Sequence, residues 1–103
     1  MRTVIETPTY LNSIASIWTT DEAEEFIAFI AEHPEVGGLM PGTRGLRKVR
    51  WAASGHGKRG GAWVIYFHRN TEGQVVLLIA YTKAKFDNLP IHFLKRLREL
   101  YDV

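Results

Sequence analysis

An α+β domain, with helices packed on one face of a mainly antiparallel sheet, is the fold class this sequence predicts. Three observations carry it. Apolar residues recur at helical spacing in residues 9–33 and again in 90–101. Between them run three segments rich in valine, isoleucine and aromatic residues, punctuated by glycine-containing turns. The order is strand, two helices, three strands, helix, so strands cluster instead of alternating with helices as they do around a parallel sheet.

Thr3–Glu6 reads as a short first strand with Val4 and Ile5 as its apolar residues, ended by Pro8. Thr9–Trp18 is expected to form a short helix, with Leu11, Ile14 and Ile17 three residues apart. Asp21–His33 carries a stronger helical pattern. Thr19 and Glu22 have the spacing of a capping box, and Glu22, Glu24 and Glu25 sit where the helix dipole favours negative charge. Ala23, Phe26, Ile27 and Ile30 form its apolar face, and Pro34 with Gly37-Gly38 stops it. Three strands follow at Leu46–Ala53, Ala62–Arg69 and Gln74–Thr82. The run Val75-Val76-Leu77-Leu78-Ile79-Ala80 implies that the last is buried on both faces. The first two are joined by the glycine-rich loop Ser54–Gly61, and Asn70–Gly73 is a tighter turn. Pro90–Leu100 closes the chain as a helix, with Ile91, Leu94, Leu97 and Tyr101 along one side and Pro90 in its first turn. No repeat, low-complexity tract or linker divides residues 1–103, so a single domain is expected.

Composition bounds the function. Hydrophobic residues make up 46% of the chain, and no run approaches the ~20 apolar residues that span a bilayer. No long apolar segment follows a basic start, so neither a secretory signal nor a membrane partner is expected. Cysteine is absent, which excludes disulfides and thiolate metal sites and points to a reducing, cytoplasmic compartment.

The net charge of +2 conceals a segregation. Residues 1–35 hold seven acids against Arg2 alone. Residues 36–71 hold Arg44, Arg47, Lys48, Arg50, Lys58, Arg59 and Arg69 and not one acid. Such a chain presents one basic face, and a polyanion is the partner that face fits.

Strand alternation puts Lys48 and Arg50 on one face with Leu46 and Ala52, and Arg47, Val49 and Trp51 on the other. Two cations one pleat apart are about 6.5–7 Å apart along the strand, close to the phosphate spacing of an extended nucleic-acid strand. Fixed positive groups on rigid backbone are what phosphate binding, or stabilisation of a phosphorane-like transition state, requires. Solvated cations snorkelling from an exposed sheet face are the competing explanation. The loop Gly57-Lys58-Arg59-Gly60-Gly61 adds two cations beside glycines whose N–H groups can approach an anion. It lacks the spacing and following helix of a phosphate-binding P-loop. Tyr81 and Lys83 place a ring and a cation at the end of the last strand. Of His33, His56, His68 and His92, only His56 lies in the basic loop, where it is an acid–base or RNA-binding candidate. The four show no metal-ligand spacing, and no metal or cofactor is called for. Trp18, Trp51 and Trp63 have the chemistry to stack on bases, although core packing is the default for such rings.

The segments Gly45-Leu46-Arg47-Lys48-Val49-Arg50, Gly55–Gly61 and Val64-Ile65-Tyr66-Phe67 resemble the RelE/HigB superfamily of type II toxins, in its HigB-like, phage-derived branch. The pattern continues through Leu77–Lys83 and Asn88-Leu89, and covers most of the chain. The resemblance implies a RelE-like fold: an N-terminal strand and two helices packed on the sheet, then a C-terminal helix. It also implies a translation-inhibiting mRNA endoribonuclease that acts on the ribosome without a metal or cofactor. The ribose 2′-hydroxyl attacks the adjacent phosphate, and positive residues hold that phosphate. By position, Lys48, Arg50, Lys83 and Tyr81 correspond to the catalytic surface and Lys58 and Arg59 to RNA-binding hairpin cations of the branch; Arg47 and His56 are RNA-binding candidates because they lie in the same basic stretch. The implied partners are mRNA, the ribosome and a cognate antitoxin. In this branch the antitoxin carries a helix-turn-helix domain through which the pair reaches operator DNA.

One position departs from the pattern. The second residue after Gly60-Gly61 is Trp63, where the branch usually has an arginine that contacts the scissile phosphate. Tryptophan supplies neither the charge nor the forked donors. Loss of one such donor costs ~3–4 kcal/mol in the transition state. Weakened cleavage is therefore expected, whether Trp63 is natural or a detoxifying substitution. Two other readings fit the same residues: a ParE-like, non-enzymatic toxin that blocks DNA gyrase, and a catalytically inactive RNA- or partner-binding domain.

Overall fold

The computed structural model describes residues 2–52, 61–83 and 89–101. The loop carrying His56, Lys58 and Arg59 and the Asn88 motif position fall outside the described residues. The elements are β1 (Thr3–Glu6), α1 (Pro8–Ile14), α2 (Thr20–Glu32), β2 (Gly38–Leu39), β3 (Arg47–Trp51), β4 (Ala62–Arg69), a 3-10 turn (Asn70–Glu72), β5 (Gln74–Tyr81) and α3 (Ile91–Tyr101). They build one five-stranded sheet in the order β1-β5-β4-β3-β2. β1 runs parallel to β5, and the other pairings are antiparallel.

α1 is shorter than its apolar spacing implied. Thr7 caps it, accepting from the Tyr10 N–H at 3.2 Å and donating to the Leu77 carbonyl at 2.8 Å. The helix ends at Ile14, and the Ile17 and Trp18 N–H groups both turn back to the Ile14 carbonyl. Its buried residues are Tyr10 and Ile14, while Leu11 is exposed. α2 begins with the expected capping box: the Glu22 N–H donates to Thr19 Oγ1 at 3.2 Å and the Thr19 N–H to Glu22 Oε1 at 2.8 Å.

The helices do not share one face of the sheet. α1 and α2 cover one side, packing Tyr10, Ile14, Phe26 and Ile30 on Val49, Val64, Tyr66, Val75, Leu77 and Ala80. α3 covers the opposite side, packing Leu94 and Leu97 on Leu46, Ile65, Phe67, Val76 and Leu78. The expectation of helices on a single face is thus corrected, and the reason lies in β4 and β5. Both are apolar on alternate and intervening residues, so each side needs cover. Tyr101 fastens the end of α3: its hydroxyl is 2.8 Å from Thr9 Oγ1, and its carbonyl accepts from Arg69 Nη2 at 3.2 Å.

Two local devices set up the edge of the sheet. Gly37 is buried under Tyr66, whose hydroxyl accepts from the Gly37 N–H at 2.9 Å. A Cβ at Gly37 would lie 2.9 Å from that ring, so only glycine fits. The turn between β2 and β3 closes on buried Thr43, which donates to the Met40 carbonyl at 2.6 Å and accepts from the Leu46 N–H at 3.2 Å.

Candidate functional site

β3 delivers its cations as the alternation requires. Val49 and Trp51 turn toward α2, where Trp51 stacks on Phe29 with ring centroids 4.7 Å apart. Trp18 likewise packs on Phe26 at 5.6 Å. These two indoles belong to the core and leave Trp63 as the tryptophan on the other face. Lys48 and Arg50 project from that face, where their register partners across β4 are Ile65 and Trp63.

The Lys48 ammonium sits over the Trp63 ring, 4.5 Å from its centroid, and 5.8 Å from the centroid of Tyr81. Trp63 pairs with Tyr81 on its other side. Lys48, Trp63 and Tyr81 thus form one cluster from three adjacent strands, with Arg50 exposed at its rim. Tyr81 is buried, and Lys83 is exposed two residues beyond it. Cation–π contact of this kind orients the ammonium without neutralising it.

A β-bulge makes the cluster possible. Pairing slips by one residue between Ile65 and Tyr66, so that Ile65 faces Ile79 while Tyr66 faces Leu77. Val76 and Leu78 point to the α3 side and so does Tyr81, while Ala80 points to the α1 side. Unbroken alternation would have sent Tyr81 to the side of Val75 and Leu77. Bulges re-aim side chains in this way.

Arg47 is not brought into the site. It lies on the α2 face, where its Nη1 donates to the carbonyls of Gly37 at 2.7 Å and Glu35 at 3.2 Å. The sequence reads it as RNA-binding because it shares the basic stretch; the structure ties it to backbone carbonyls beside β2.

Residues without a motif in the sequence complete the surface. A groove of about 340 Å³ opens beside Lys48 and Trp63, lined by Gly38, Leu39, Met40, Pro41 and Ile91. Leu39 and Ile91 are more than half exposed, although helical spacing assigns Ile91 to the packed side of α3. The sequence signal is present as Gly-Leu-Met-Pro-Gly, two apolar residues held between turn formers, but it reads first as a helix stop.

Among the titratable side chains buried away from this site is a histidine. His68 lies 4.0 Å from Glu35, and burial, with Arg2 and Arg47 nearby, pushes its pKa below the ordinary value against the pull of Glu35.

No family model matches the chain. Among solved structures it is similar to a mutant of the Escherichia coli toxin RelE in the free state, with a TM-score of 0.64 and 11% identity over 94% of this chain and 96% of that one. It is also similar to a chain of the intact E. coli RelBE toxin–antitoxin complex, with a TM-score of 0.58 and 12% identity over 78% of this chain and 94% of that one. Identities this low speak to architecture, and on that ground the chain has the RelE-like α+β fold.

Proposed function

We propose that this protein is the toxin of a type II toxin–antitoxin pair, of the HigB-like branch, and that it cleaves mRNA on the ribosome in the cytoplasm. The observation that carries the reading is the placing of Lys48 and Arg50 one pleat apart on rigid β3, beside Trp63 and Tyr81, on a RelE-like scaffold. In the proposed reaction the ribose 2′-oxygen bonds to the adjacent phosphorus as the bond from phosphorus to the 5′-oxygen breaks. The 2′-hydroxyl gives up its proton, and the leaving 5′-oxygen takes one. Lys48 and Arg50 stabilise the charge that develops on the non-bridging oxygens, and Lys83 supports the flanking phosphate. Tyr81 holds the Lys48 ammonium in place. His56, Lys58 and Arg59 belong to the RNA path in this reading. The chemistry takes no metal or cofactor. A cognate antitoxin with a helix-turn-helix domain, and operator DNA through it, are the regulatory partners. The RelBE complex among the structural neighbours supports an antitoxin partner.

Trp63 favours a second reading, a surface that binds RNA or a partner without cutting, because the arginine usual at this position is missing. Incubation of the purified protein with programmed ribosomes, followed by primer extension, separates the two. Codon-linked cuts that require the ribosome establish the nuclease. Intact mRNA with RNA still bound establishes the second reading, and intact mRNA with DNA damage in cells points instead to gyrase.

A further inference from the structure

We infer that Trp63 and the groove beside it form a stacking subsite for one unpaired nucleobase, and that this subsite prefers purines. The inference rests on the proposed RNA-binding reading and names what the groove selects.

Three observations carry it. The groove is lined by the apolar residues Leu39, Met40, Pro41 and Ile91 together with an indole and a cation, Trp63 and Lys48. A volume of about 340 Å³ is large enough for a flat heteroaromatic ring. The strand that supplies Lys48 and the strand that supplies Trp63 both fall in the acid-free segment 36–71, so the rim is matched to a polyanion and not to a basic peptide. An apolar groove with a cation in its lining fits a base with its phosphate attached. Among the described residues, the neighbouring rings Tyr81 and Phe67 do not offer an equivalent stacking face, since both are buried in the α3-side core.

Lys48 and the base would use Trp63 in sequence. In the free protein the Lys48 ammonium rests over the indole at 4.5 Å. A base that stacks on the indole displaces that contact, and the ammonium then meets the phosphate of the same nucleotide. Stacking tolerates every base but is stronger for the larger ring system, which gives the purine preference. Trp63 in place of arginine thus exchanges a phosphate contact for a base contact.

The test uses the whole protein without ribosomes and uncleavable probes, trideoxyadenylate and trideoxycytidylate, at low salt. The Trp63 indole N–H resonance is assigned by its disappearance in Trp63→Phe. On titration it should shift, while those of Trp18 and Trp51 stay in place. Trideoxyadenylate should bind several-fold more tightly than trideoxycytidylate. Trp63→Ala should weaken adenylate binding about tenfold, Trp63→Phe should keep most of it, and Trp63→Arg should bind both probes with no purine preference. Equal binding by wild type and Trp63→Ala, in variants with unchanged circular dichroism, would overturn the subsite, as would shifts confined to other indoles. Loss of ribosomal cleavage with the purine preference intact would dispose of the nuclease reading and leave the subsite standing.

Discussion

Tyr81 lies beside Trp63 in the β4–β5 register although its parity along β5 assigns it to the opposite face, and the single-residue slip between Ile65 and Tyr66 is what turns it. The same slip leaves Leu78 and Ile79 both directed toward the α3-side core. A ring that would otherwise have been buried under α1 instead comes within 5.8 Å of the Lys48 ammonium. The basic surface owes its composition to this irregularity as much as to the cations themselves.

Lys48→Ala is expected to lower ribosome-dependent cleavage by about 10²-fold or more, since it removes a fixed charge from the transition state. Lys83→Ala should lower it by a smaller factor. Trp63→Arg should raise it, by up to about 10²–10³-fold if the new guanidinium reaches the phosphate. Initial rates on programmed ribosomes measure all three, and equal rates across the panel would remove the assignment of this surface.

Arg47→Ala should act on stability and not on RNA. It releases two carbonyls from a charged donor, with an expected cost of about 1.5 kcal/mol, the low end for charged hydrogen bonds because one of the two is exposed. Urea denaturation gives the loss. RNA affinity should stay at the wild-type value in Arg47→Ala and fall in Arg50→Ala.

Gly37→Ala should cost about 2–3 kcal/mol, because the added methyl meets the Tyr66 ring at 2.9 Å and the Lys48 carbonyl at 3.0 Å. Tyr66→Phe should cost about 1–2 kcal/mol by taking the acceptor from the buried Gly37 N–H. Both are read from denaturation midpoints at one pH.

Stability should depend on pH through His68. Its folded-state pKa is lowered, by burial first and by Arg2 and Arg47 after it. The unfolded chain therefore takes up the proton first. The contribution is fully present above the ordinary histidine pKa of about 6.5 and is lost as pH falls from there toward the folded value. His68→Gln should flatten the change in urea midpoint between pH 7 and 5.5. An unchanged slope would assign the effect to another group.

Tyr10→Phe should be neutral or stabilising by about 0.5–1 kcal/mol. The Tyr10 hydroxyl is buried with no hydrogen-bond partner among the described residues, so its removal relieves an unmet desolvation cost. Burial and the nearby Glu6 also hold its pKa far above the ordinary tyrosine value. Thermal denaturation decides the sign.

The sequence by itself determined the order of the longer elements, though not the two-residue β2 that it reads as a helix stop, together with the α2 cap, the two-sided burial of β5 and the separation of Lys48 and Arg50 from Arg47. All of these are local: they follow from hydrogen-bond reach within a turn, or from the two-residue period of a strand. Only the tertiary structure decided the rest. It set α3 on the face opposite α1 and α2, because which side a helix covers depends on what the other helices leave bare. It gave Arg47 to the carbonyls of Glu35 and Gly37 and exposed Ile91 at a groove. It also turned Tyr81 toward Lys48 through a bulge. A bulge belongs to a pair of strands, and one strand's alternation carries no mark of where its neighbour will slip.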